Sequence, residues 1–83
     1  MTRLEGLAEG RIVHYVLRPG EHRAAIIVRV WRDSHGNPAP LGTVNLTVFP
    51  DWGNDGEDGI VWKTSVVYDE AHGPYTWHWP ERE

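Results

Sequence analysis

Gly42-Thr43-Val44-Asn45-Leu46-Thr47-Val48-Phe49 alternates apolar and polar residues almost without a break. Successive side chains of a strand point to opposite faces, so Val44, Leu46 and Val48 share one side. Thr43, Asn45 and Thr47 share the other, which Phe49 continues. This is the pattern of a half-buried antiparallel strand. Pro50, which has no N–H to give a ladder, ends it.

Moving outward, residues 24–32 read as a second strand, Ala-Ala-Ile-Ile-Val-Arg-Val-Trp-Arg. Here Ala24, Ile26, Val28 and Val30 are expected to face the core. Ala25, Ile27, Arg29 and Trp31 are expected to face water, because that side carries a charge. Residues 11–17, Arg-Ile-Val-His-Tyr-Val-Leu, have the β-branched and aromatic content of a strand with two apolar faces. Arg18-Pro19-Gly20-Glu21 joins the two as a turn. Asp33 to Pro40 is dense in breakers and reads as a loop, as does the acidic, glycine-rich stretch 51–59. Residues 60–68 form a fourth strand, with Trp62, Thr64, Val66 and Tyr68 on one face. The tail, Tyr75-Thr76-Trp77-His78-Trp79-Pro80, places Tyr75, Trp77 and Trp79 in one stripe and reads as a short fifth strand ending at an edge. Residues 1–10 are expected to be a flexible arm or a short helical turn, since Gly6 and Gly10 interrupt any helix.

Eighty-three residues support one core, so residues 11–83 are read as a single domain. No cysteine is present to staple it, so large aromatics must supply much of the buried area; five Trp, three Tyr and one Phe are available. Trp62 and one of Trp77 and Trp79 are expected in the core.

The strand order, a glycine-led first strand, an Ala/Ile/Val-rich second and then Thr-Val-Asn-Leu-Thr-Val-Phe, resembles SH3-like barrels of the Tudor, PWWP and KOW kind. The resemblance spans roughly residues 10–80 and implies an all-β, small five-stranded SH3-like barrel, closed to remove free sheet edges. A second likeness is local. Gly10-Arg11-Ile12-Val13-His14-Tyr15-Val16-Leu17, Arg23-Ala24-Ala25-Ile26-Ile27-Val28 and Thr76-Trp77-His78-Trp79-Pro80-Glu81 resemble small proteins of tailed bacteriophages and prophages. That group implies a setting, in an infected bacterium or a virion, and no chemistry.

Composition narrows function. The formal net charge of −4 argues against duplex nucleic acid as a partner. No apolar run is long enough to span a bilayer, and the N-terminus has no signal-peptide core, so a cytoplasmic location is expected. Ser34 and Ser65 lack a nucleophile context, and the acidic loop lacks the ending of a phosphate loop. No enzyme activity and no cofactor are therefore expected. No metal site is expected either. The calcium-loop template starting at Asp51 fails at Gly53 and Trp62, and no histidine pair has the helical spacing of a zinc motif. His14 reads as structural; His22, His35 and His72 read as solvated loop residues.

What remains is aromatic and arginine content. Aromatic planes stack bases, and arginine grips phosphates or stacks. Arg29, Trp31, Trp52, Trp77, His78 and Trp79 are the candidate ligand-binding residues. They suit a non-enzymatic accessory protein that sequesters a nucleotide signal of host immunity, as a homo-oligomer whose subunits share a pocket. The alternative is a structural or protein-interaction module: a virion component, or an inhibitor docking on a host protein.

Overall fold

The computed structural model describes residues 4–18, 20–55 and 59–80. It is all-β apart from one helical turn. Five strands, β1 (Ile12–Arg18), β2 (Glu21–Val30), β3 (Val44–Val48), β4 (Val61–Val66) and β5 (Trp77–His78), make one antiparallel sheet in the order β4-β3-β2-β1-β5. The ladder does not close into the expected full barrel. Among the described residues its two edges are linked by one parallel bridge, Tyr68 to Trp77, in which the Trp77 N–H donates to the Val67 carbonyl and the Asp69 N–H to that of Trp77. Two residues of β5 are too few to build a second ladder. No helix among the described residues is long and apolar enough to cross a membrane.

β3 sits in the sheet as its alternation requires, with Val44, Leu46 and Val48 buried. β2 reverses the expected faces from Ala24 to Val28, while Arg29 faces water and Val30 the core as expected. Ala25 and Ile27 are buried, and Val28 is 49% exposed. Arg29 marks the Ala25 and Ile27 side as the wet one by alternation, but a register shift separates Arg29 from both. Ala25 lies opposite Val48 and Ile27 opposite Leu46, which fixes their side as the core side. The register then shifts between Ile27 and Arg29, so Val28 is an extra residue and Val30 returns to the core.

β4 carries a second bulge. Leu46 pairs with Lys63 and Val44 with Val66, leaving two residues, Thr64 and Ser65, opposite Asn45. Ser65 adopts φ 55°, a left-handed conformation rare outside glycine. Parity flips there, so Val66 is buried but Trp62 faces out and is 61% exposed. The expectation that Trp62 is core is thereby corrected. Trp77 takes the central role instead, at 0% exposure. Its ring meets Tyr68 and Trp79 edge-on at 4.9 and 5.2 Å, and its indole N–H donates to the Gly42 carbonyl at 2.7 Å.

The described part of the N-terminal segment, residues 4–10, forms turns that lie against the core. Leu7 is buried and Leu4 packs beside it. Glu9 accepts from the Val30 N–H at 2.9 Å and from Arg32 at 3.0 Å. These bonds, the Val30 N–H foremost, hold its carboxyl below the ordinary range. The acidic stretch read as pure loop contains one helical turn, α1 (Trp52–Asp55). Arg23 Nε and Nη2 each reach an Asp55 oxygen at 2.7 Å, and Arg18 adds a third contact at 3.2 Å. This two-pronged pairing ties α1 to β2.

Candidate functional site

Two regions gather chemistry-bearing side chains. The first contains residues singled out in the sequence. Arg29 lies over the Trp31 ring, 4.3 Å from its centroid. The Trp31 indole N–H donates to Asn45 Oδ1 at 3.1 Å, so this platform is anchored to the two bulges. Trp79 is half-buried, packs on Trp77 and sits beneath the Arg11 guanidinium at 5.8 Å. Gly10, Arg11, Ile12, Trp79 and Pro80 line an open recess of about 430 Å³. Its floor is fixed by backbone bonds from Gly10 N–H to the Ile27 carbonyl and from Ile27 N–H to the Arg11 carbonyl. Arg11 was not among the residues chosen from sequence; its place at the mouth follows from strand pairing.

Trp77 is removed from the candidate set, because complete burial leaves it no surface to offer a ligand. The side chain of Trp52 lies outside the described residues.

Of the second region, sequence reading singled out only His78 and missed His14, His22 and His72. Four of the five histidines converge on the outer face near the β1–β2 hairpin. His14 pairs with His78 across β1 and β5. His22, opposite Val16, points to the same face of β2. Ring centroids lie 5.6 Å apart for His14–His78, 4.6 Å for His22–His78 and 6.4 Å for His14–His22. One nitrogen from each of these three lies within 4.8 Å of the others. His72 stacks on His78 at 3.7 Å with rings 23° apart. It is delivered by a tight loop in which Asp69 accepts from the N–H groups of Ala71 at 2.8 Å and Gly73 at 3.0 Å, while His72 takes φ 62°. His78 is 3% exposed; the other three are half-buried. The residues are 14, 22, 72 and 78, a spacing that matches no local motif. The faint signal in sequence was only that each falls on or beside the first, second or fifth strand.

The same outer face is unusually apolar. Ile12, Ile26, Thr47 and Trp62 form one row across four strands, and Phe49 and Ile60 are exposed near its end. Comparison of the chain with protein-family models, curated proteins and solved structures returns no match in any of the three.

Proposed function

We propose that this protein is a non-enzymatic binding protein that captures a flat, anionic small molecule of the nucleotide class. In the phage setting suggested by its tail motif, it acts in the infected cell's cytoplasm by sequestering a nucleotide signal of host defence. The observation that carries the reading is the recess at Arg11 and Trp79. It combines an aromatic plane for a base, a guanidinium for a phosphate, and apolar walls from Ile12 and Pro80. Its volume of about 430 Å³ suits a mononucleotide-sized group; a larger ligand is shared between copies of the chain. Arg29 and Trp31 provide a second stacking platform.

Calorimetry and thermal shift against linear and cyclic nucleotides test it. Binding that falls at least tenfold in Arg11→Ala supports the reading. No binding by any nucleotide at millimolar concentration refutes it. A second reading, a protein-interaction module, is favoured by the exposed row of Ile12 and Trp62 and the neighbouring Phe49 and Ile60. Light scattering and pull-down with Trp62→Lys distinguish it, since that substitution leaves the recess untouched.

A further inference from the structure

We propose that His14, His22 and His78 form a binding site for a divalent transition metal of the zinc, nickel and copper group. This site is independent of the recess reading: His78 and Trp79 face opposite sides of the tail, so either reading can fail alone.

Three observations support it. First, the three imidazoles come from three adjacent strands, so their backbone positions are set by ladder hydrogen bonds. Second, their donor nitrogens already lie within 4.8 Å of one another. Tetrahedral zinc at Zn–N of about 2.0–2.1 Å requires nitrogens roughly 3.4 Å apart, so contraction by at most about 1.4 Å through side-chain rotation completes the set. Third, the cluster holds only imidazoles. Among the described residues no carboxylate belongs to the grouped ligands, which disfavours hard magnesium and calcium and suits borderline metals.

Three protein nitrogens leave one or more coordination positions open, as in sites where metal meets an exchangeable ligand. His72, stacked on His78, covers one side of that ring and restricts its orientation. The metal would tie β1, β2 and β5 together, where β5 contributes only two residues to the ladder.

The test is isothermal titration of the tag-free protein with Zn²⁺ at pH 7.5, with Mg²⁺ and Ca²⁺ in parallel and Co²⁺ absorption as a geometric readout. One-to-one Zn²⁺ binding with micromolar or tighter affinity is expected, together with a raised melting temperature and no response to Mg²⁺ or Ca²⁺. H14Q and H22Q should each weaken Zn²⁺ at least tenfold while remaining folded by circular dichroism. H35Q, at the histidine in the exposed loop, should bind as the parent does. Absence of Zn²⁺ binding at 100 μM overturns the proposal. So does affinity unchanged in both H14Q and H22Q, or affinity lost in H35Q.

Discussion

Replacing Asn45 by alanine tests the claim that one amide holds both bulges in place. Asn45 is 9% exposed, and its Oδ1 accepts from Thr64 Oγ1 at 2.9 Å, from the Ser65 N–H at 3.0 Å and from the Trp31 indole at 3.1 Å. The three donors differ in value. The Ser65 N–H fixes a left-handed residue and, left unsatisfied, costs about 1–1.5 kcal/mol. The half-buried Trp31 indole contributes about 0.5–1 kcal/mol, and exposed Thr64, which water can serve, at most about 0.5 kcal/mol. The expected loss is about 1.5–3 kcal/mol, which in a chain of this size lowers the melting temperature by about 6–24 °C. A domain of this length has roughly 4–12 kcal/mol in total, so the variant should still fold. Urea unfolding followed by tryptophan fluorescence measures it. Asn45→Asp keeps an acceptor oxygen and should retain most of the stability. A loss below about 0.5 kcal/mol in Asn45→Ala, or equal damage in both variants, would refute the pinning role.

Other outcomes follow from single contacts. Gly42→Ala should destabilise by more than about 1 kcal/mol, because Gly42 holds φ 67° and an added Cβ would meet Leu4 Cδ2 at 2.9 Å and Tyr68 Cβ at 3.0 Å; thermal melts decide. Ser65→Gly should be neutral or stabilising, since it relieves a left-handed φ while keeping the N–H to Asn45. Trp62→Thr should change stability by less than about 0.5 kcal/mol, since the ring faces solvent. Asp55 is held at about 2, below its ordinary 3.8, chiefly by Arg23 and then by the Asp51 N–H. A depressed carboxylate stabilises above its unfolded pKa, and that contribution is lost as pH falls through the folded value. Urea midpoints should therefore drop between about pH 4 and pH 2, and less steeply in Asp55→Asn.

The legible parts of the sequence were those where one face differs from the other. β3 could be placed with its inward residues named because threonines and an asparagine alternate with aliphatics. β2 could be located but was misoriented up to Val28, since Arg29 is the only charge from Ala24 to Val30 and the register shift after Ile27 puts it on the opposite face from Ala25 and Ile27. Trp62 was misplaced because a bulge at Thr64 and Ser65 inverts parity. No period-two reading contains that inversion, and Ser65 is not a glycine that would have announced it. Of the candidate ligand residues, Arg29 and Trp31 were found together because they lie two apart on one strand. Arg11 and Trp79, which are 68 positions apart, were not paired.

Composition and alternation by themselves determined that this chain is all-β and that it has five strands; the expected aromatic core is mostly aliphatic, with Tyr15 and Trp77 the buried rings among the described residues. Class and strand number are local, or follow from how little surface 83 residues can bury. Register, bulge positions and the open edge between β4 and β5 were decided only in three dimensions, where each strand reads its neighbour. The same holds for the histidines. Residues 14, 22, 72 and 78 are unremarkable along the chain and become one cluster only when β5 pairs with β1, because ligand geometry depends on distance in space and the sequence records distance along the chain.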